Sequence, residues 1–276
     1  MSDAPTNIVE KAFWENDYYW ARAELPCRVD TELAFDRSLA RALAAYAAVQ
    51  PGQSVLEVGC APAKWLLFYA ERFGAAVAGI EYSDKGATLS RENLRAAGVP
   101  SEIQRADFFD VPPRPYDLVL SIGFIEHFDD IPGTFERHLR FVAPGGRLAI
   151  GVPNFRGVNR ALQWLAEPEY LALHNIAAMR PSLYREMAAV HDLELEHIGY
   201  LGGLDPAIIR LGRGPALSPR RVLPGAATLA ERRWRSLALG ERLEHRWLSS
   251  YLLAVYRSAS GGVPYSGVTA STSSEA

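Results

Sequence analysis

Two stretches, Ser54-Val55-Leu56-Glu57-Val58-Gly59-Cys60-Ala61-Pro62-Ala63-Lys64 and Ile80-Glu81-Tyr82, decide the reading of this chain. The first opens as a short apolar run suited to a buried strand, passes through a turn of small residues and enters a helix. The second closes another short strand on an acid, 22 residues after Gly59. This spacing lets a doubly wound sheet hold an adenosine-containing ligand across the carboxyl ends of its strands.

The turn also selects among such ligands. A dinucleotide turn uses three glycines, so that the pyrophosphate can lie against the backbone. Here Gly59 stands alone, with Ala61 and Ala63 where further glycines would stand. Glu57, two residues before Gly59, would repel a pyrophosphate. It suits a ligand with an ammonium group. S-adenosyl-L-methionine has one, and its ribose offers two hydroxyls to Glu81. A nicotinamide cofactor fits less well.

Outward from the turn, strands and helices alternate, which argues for a parallel sheet. Strands are expected at 53–59, 76–81, 102–106, 117–122 and 147–152, with helices at 63–73, 84–97 and 132–143. Before them, residues 1–7 are expected to be disordered. An aromatic helix follows at 8–25 and an alanine-rich helix at 32–48. After Pro153-Asn154 the rhythm breaks, and residues 155–178 read as an inserted helical pair. A helix at 181–190 and a strand at 193–200 come next. Residues 204–224 read as a loop, 225–246 as a helix and 249–257 as a last strand. Residues 258–276 are rich in Ser, Gly, Thr and Ala and predict a disordered tail. The division is an N-terminal helical cap at 1–50, a main domain at 51–257 with a helical lid at 155–180, and the tail.

At Glu57-x-Gly59-x-Ala61-x-Ala63 the chain resembles the first motif of the class I, seven-stranded S-adenosylmethionine-dependent methyltransferases. Glu81 matches their ribose-binding acid. Ala106-Asp107-Phe108 is similar to their adenine-flanking segment. Tyr116 to Ser121 and Gly123-Phe124-Ile125-Glu126-His127-Phe128 are similar to the fourth strand and its exit. Pro144-Gly145-Gly146 resembles the turn into the fifth. The resemblance covers about residues 50–200. It implies a doubly wound, mostly parallel α/β sheet of seven strands, whose last two form an antiparallel edge. It also implies S-adenosyl-L-methionine as cofactor, S-adenosyl-L-homocysteine as product, and a methyl acceptor beyond the fourth strand. On it, Asp107 bonds the adenine amino group, Phe108 covers the ring, and Tyr82 stacks on or edges it.

Open α/β sheets bind ligands at one rim. That rim carries Gly59, Ala61, Glu81, Tyr82, Asp107, Phe108, Ile122 and Asn154. Glu126 and His127 follow the fourth strand, where the methyl group faces its acceptor. His127 can orient substrate or take a proton, or be a structural histidine bonded to a carbonyl. Tyr170 and His174 lie four apart on the insert and share a helical face, either as packing or as a lid. Tyr18, Tyr19 and Arg22 on the first helix can close the other side. The expected acceptor contacts are Tyr18, Tyr19, Arg22, Glu126, Asn154 and Tyr170, with His127 and His174 as candidate bases. Asp129-Asp130 reads as a turn or helix cap, and no metal is expected.

Composition narrows the function. The chain has 276 residues, 49% apolar and 22% charged, with a formal net charge of −3. No basic field draws in nucleic acid. No signal pattern or membrane-length apolar run appears, so a cytoplasmic protein is expected. Cys27 and Cys60 lie far apart, and no disulfide between them is expected. The leading expectation is methylation of oxygen or nitrogen on a small molecule. A protein or RNA methyltransferase and a cofactor-binding protein without catalysis are the alternatives.

Overall fold

A computed structural model describes residues 5–15, 24–205, 208–209, 233 and 244–259. Within these, alternating segments build one sheet. Strands β1 (Ser54–Val58), β2 (Ala76–Glu81), β3 (Ser101–Arg105), β4 (Tyr116–Ile122) and β5 (Val142–Pro153) run parallel. Strands β6 (Glu194–Leu201) and β7 (Tyr251–Arg257) add an antiparallel edge. The order is β3-β2-β1-β4-β5-β7-β6. The order reverses beside β1, and ligands of open α/β sheets bind at such a switch point.

Helices cover both faces. They are α1 (Lys11–Trp14), α2 (Ala34–Tyr46), α3 (Lys64–Phe73), α4 (Asp84–Ala96), α5 (Ile131–Leu139), α6 (Gly157–Ala166), α7 (Pro168–Leu171) and α8 (Pro181–Val190). Successive strand residues face opposite sides of a sheet. Leu56 and Val58 of β1 accordingly join a core with Phe135, Phe141 and Tyr184. Val55 joins another core with Leu39, Leu66, Tyr69 and Leu94. Each apolar side chain sealed this way contributes about 1.5–3 kcal/mol.

Local chemistry sets several boundaries. Ser83 caps α4 by accepting the Gly86 N–H at 2.8 Å. Asp130 caps α5 by accepting the Gly133 N–H at 2.9 Å, which is the cap expected for that acid pair. Helix α5 stops at Leu139 and not at 143. Phe141 and Val142 are taken by the sheet, with the Tyr116 N–H bonded to the Phe141 carbonyl at 2.8 Å. Pro144-Gly145-Gly146 therefore lies inside β5, at a register shift against Tyr116 and Leu118. A Cβ on Gly146 would sit 2.8 Å from the Ala143 carbonyl oxygen and 3.0 Å from that of Asp117, so glycine is required there.

The N-terminal arm also departs from expectation. Helix occupies only Lys11–Trp14 among the described residues before Ala34. Asn7 instead forms an antiparallel bridge with Phe128, and the Ile8 N–H bonds the His127 carbonyl at 2.8 Å. Polar backbone groups of the sheet exit take partners from the arm, which straightens its start. The insert is α6, α7 and a 3₁₀ turn at Ile176–Met179. The expected loop at 204–224, helix at 225–246 and tail at 258–276 lie almost wholly outside the described residues. No helix among the described residues is long and apolar enough to cross a membrane. Cys27 and Cys60 are free thiols.

Candidate functional site

The carboxyl ends of β1, β2, β4 and β5 open into a cavity of about 480 Å³, a size suited to small-molecule ligands. One half is built by the turn after β1. Gly59 takes φ of +69° and Ala63 takes +66°, so the left-handed conformations fall on these two residues and not on Ala61. A Cβ on Gly59 would lie 2.8 Å from the Phe124 ring. The Gly59 and Cys60 N–H groups both reach the Ile80 carbonyl. The turn is thereby tied to the neighbouring strand.

Glu81 ends β2 and lines the cavity. One carboxylate oxygen accepts the Ser83 N–H at 2.9 Å and the other the Ala61 N–H at 3.3 Å. A carboxylate offers about four acceptor sites, so capacity remains for both hydroxyls of a ribose. Burial pushes its carboxyl above the usual range, opposed by these backbone bonds. Gly86 packs at this point, where a Cβ would come 2.9 Å from the Ala61 side chain and 3.0 Å from the Glu81 carboxyl carbon. This half therefore combines a turn with a positive-φ glycine, an anchored acid, and the buried Phe108 ring on the cavity wall.

Of the other expected cofactor residues, Glu57 and Asp107 are off the cavity wall, while Tyr82 and Ile122 are on it. Glu57 is buried and absent from the cavity lining. It shares the face of Val55, beneath α3, where it takes a hydrogen bond from the Leu66 backbone. Burial raises its carboxyl well above the usual value. Its Oε2 has no hydrogen-bond partner among the described residues. Asp107 is exposed outside the cavity and accepts the Phe109 N–H at 2.9 Å, closing its own turn. Tyr82 does line the cavity, and the Lys11 ammonium lies 5.1 Å from its ring centroid. Ile122 lines it as well.

The other half begins where β4 ends. Glu126 and His127 sit on a 3₁₀ turn, both buried and both on the cavity wall. The insert closes over them. The Asn175 N–H bonds the Glu126 carbonyl at 2.6 Å, and the Asn175 amide reaches the Phe128 and Asp129 carbonyls. His127 Nδ1 lies 2.8 Å from the Leu173 carbonyl oxygen. His174 Nδ1 lies 2.9 Å from that of Tyr170. The Tyr170, His174 and Phe155 rings meet edge to face, and Trp14 from the arm meets His127 with centroids 5.0 Å apart.

Burial dominates the electrostatics here. It pushes the Glu126 carboxyl up to about 8. Burial and then the neighbouring His174 lower His127 to about 3, against the Leu173 bond. Burial lowers His174 to about 4, against the Tyr170 bond. Both imidazoles are neutral at pH 7.

Of the expected acceptor contacts, Glu126 and Tyr170 line the cavity. Asn154 does not. It is fully buried in the seam between β5 and β7, where its amide donates to the Arg246 and Ser249 carbonyls. Tyr18, Tyr19 and Arg22 lie outside the described residues. The arm nonetheless spans both halves. Thr6 to Ile8 bond the β4 exit, and Glu15 accepts the Asp84 N–H at the start of α4 at 2.7 Å.

Sequence reasoning missed one polar pair on the wall. Lys64, the first residue of α3, meets the buried Asp36 of α2 at 2.7 Å. Its partner lies 28 residues away, and no local spacing signals the pair. Phe124 and Phe155 were likewise given no site role. Their aromatic character shows in the sequence, but their meeting at the cavity does not.

Residues 29–197 match the methyltransferase-domain family. The chain belongs to that family, in the class I S-adenosylmethionine-dependent group that shares its seven-stranded sheet. It is 31% identical over 104 residues to phosphoethanolamine N-methyltransferase 3 of Arabidopsis thaliana, a match spanning 37% of this chain and 21% of that one. It is 28% identical over 163 residues to the methyltransferase GfsG of Streptomyces halstedii, spanning 56% of this chain and 57% of the relative. The chain thus spans about a fifth of the length of the plant enzyme and just over half of the bacterial one. Among solved structures, phosphoethanolamine N-methyltransferase 2 of Haemonchus contortus, in complex with S-adenosyl-L-methionine, superposes with a TM-score of 0.53. That match has 17% identity and covers 80% of this chain and 52% of that one. At this identity the likeness concerns the fold alone.

Proposed function

We propose that this protein transfers a methyl group from S-adenosyl-L-methionine to an oxygen or nitrogen of a small-molecule acceptor. The observation that carries the reading is one cavity with two unlike halves, an adenosine cradle at Glu81 and a covered polar pocket at Glu126, His127 and His174. The family membership supplies the reaction class. The cover supplied by Trp14, Phe155 and Tyr170 favours a small acceptor over a polymer, which needs an open cleft. The net charge of −3 also disfavours RNA.

The cofactor supplies an electrophilic methyl on a sulfonium. Glu81 holds the ribose hydroxyls, Gly59 and Ala61 give the backbone close approach, and Phe108 and Tyr82 flank the adenine. Glu57 is too deep for direct contact in this conformation and acts by supporting the turn from below α3. At the other end, the bare nitrogens of His127 and His174 accept a hydrogen bond from the acceptor's O–H or N–H. They fix its lone pair toward the methyl carbon and, for an oxygen acceptor, receive the proton after transfer. A methylated amine keeps its proton as an ammonium, being far more basic than imidazoles lowered to about 3 and 4. Orientation of this kind is worth about 7–11 kcal/mol in well-aligned reactions. The aromatic rings exclude water from the reacting atoms.

The test is calorimetry with S-adenosyl-L-methionine, S-adenosyl-L-homocysteine and NAD, followed by transfer of a labelled methyl to a metabolite panel. Binding of the two sulfur cofactors but not NAD, with label in a small molecule, is the expected result. Cofactor binding with no transfer to any acceptor would favour a binding protein instead. Label in RNA or protein alone would move the acceptor to a polymer.

A further inference from the structure

Glu126, His127 and His174 each offer one basic atom, and these atoms lie within 4.8 Å of one another. All three side chains are buried. The two imidazoles are already oriented, since each Nδ1 faces a backbone carbonyl that can only accept. The ring proton therefore sits on Nδ1 in both, and each Nε2 keeps a bare lone pair. The rings are tilted by 51° with centroids 4.9 Å apart, so they do not stack. His127 Nε2 is 3.7 Å from Glu126 Oε1, and Glu126 Oε2 has no hydrogen-bond partner among the described residues.

Ionised, such a group consists of acceptors with no donor among them. Buried acceptors without partners are costly, and more so when charged. A cation relieves all three at once. Two neutral imidazoles and one carboxylate are the donor set of borderline divalent transition ions. Magnesium and calcium prefer all-oxygen sites. A carbonyl on the far nitrogen is the outer contact that metal-binding histidines regularly carry, and both histidines here have one. Around a tetrahedral ion with bonds of about 2.0–2.2 Å, neighbouring donors stand roughly 3.3–3.6 Å apart. The 3.7 Å pair is already close to that spacing, and donors as far apart as 4.8 Å close on an ion by side-chain rotation.

We propose that Glu126, His127 and His174 form a binding site for a zinc-like divalent transition-metal ion, with its remaining coordination position open to the cavity. A bound ion takes the acceptor's heteroatom directly, where the metal-free histidines take it through a hydrogen bond. The proposal goes beyond the methyl-transfer reading, because ion binding is measured on the protein alone. The competing occupant is a single proton on Glu126.

The experiment uses the full chain, stripped with a chelator and titrated with zinc chloride and, separately, magnesium chloride in a calorimeter. Cobalt(II) chloride gives an independent reading through its visible d–d absorption. One zinc per chain is expected, with no comparable response to magnesium. Glu126→Gln and His174→Ala should each weaken zinc by at least about 100-fold, since even outer-contact changes at metal sites cost 10–100-fold. His245→Ala, an exposed histidine outside the cluster, should leave binding unchanged. Thermal unfolding by circular dichroism checks that each variant is folded, and the near-isosteric Glu126→Gln covers the case in which His174→Ala is not. No zinc binding by the wild type, or binding unchanged in both cluster variants, would overturn the site and leave the proton. Zinc binding without any S-adenosyl-L-methionine binding would instead sink the methyl-transfer reading and spare the ion site.

Discussion

The two halves of the cavity are built on opposite terms. Around Glu81 the charged group is held by backbone N–H groups of the turn and of the residues just after β2, all belonging to the parallel sheet and its helices. Around Glu126 the polar groups are held by segments from far along the chain, with the insert on one side and the arm on the other. The first half is a local motif on a rigid edge and is suited to a constant ligand. The second is assembled by tertiary packing between an insert and an arm, the kind of peripheral segment that varies on a shared scaffold. Substitutions should therefore separate them: changes in the first half should act on cofactor affinity, and changes in the second on turnover and acceptor binding.

The largest expected effect lies in the second half. His127→Ala should lower the single-turnover rate by about 10²–10⁴-fold with an oxygen acceptor, with S-adenosyl-L-methionine affinity kept. His174→Ala should act in the same direction. A normal rate in both, measured with a known acceptor, would reduce this half to packing. Glu81→Ala should show the reverse pattern. It should weaken S-adenosyl-L-methionine by about 1.5–3 kcal/mol, the worth of hydrogen bonds to a charged group, or roughly 10–150-fold in Kd. Calorimetry on folded protein with unchanged affinity would remove Glu81 from the ribose site.

A smaller change tests the arm. Trp14→Ala removes the ring that meets His127 edge-on. Such aromatic pairs are worth about 0.5–1.5 kcal/mol, so the acceptor KM should rise by roughly two- to tenfold. Cofactor affinity should stay within error. A shift in cofactor affinity alone would assign Trp14 to the first half.

The smallest effect lies at the opposite end of the sheet and serves as a contrast to both halves. Asp117 at the start of β4 is pushed up by burial, but bonds from the Ser54 backbone and hydroxyl and from Gln53 outweigh this and hold it below the ordinary aspartate range. A carboxyl lowered in the folded state contributes stability that is present above its unfolded pKa. That stability is lost as pH falls through the folded value. Asp117→Asn should therefore lower Tm slightly at neutral pH and by less in strong acid, with both ligand affinities unchanged. A Tm loss as large in strong acid as at neutral pH would mean that the charge is not what stabilises this end.

The comparison also explains what could be read in advance. The strand–turn–helix at Ser54 to Lys64 and the acid at Glu81 are local patterns, and their elements fall within a residue or two of expectation. For Glu57, the spacing from Gly59 is legible in the sequence but the face is not. With a two-residue period, it falls on the side of Val55 and under α3, off the cavity. Asn154 follows the end of β5 at the rim, but its amide is drawn into the β5–β7 seam by carbonyls about a hundred residues later in the chain.

By itself, then, the sequence determined the alternation of strands and helices, the turn after β1, and the family. These follow from residue size, hydrophobic period and short spacings, which act along the chain. The tertiary structure alone decided which rim residues reach the cavity, that Asp36 meets Lys64, and that Glu126, His127 and His174 converge under Trp14 and the insert. Those outcomes depend on contacts between segments tens of residues apart, and on the burial that such contacts impose. Burial is what raises Glu126 and keeps both histidines neutral, and no spacing in the chain records it.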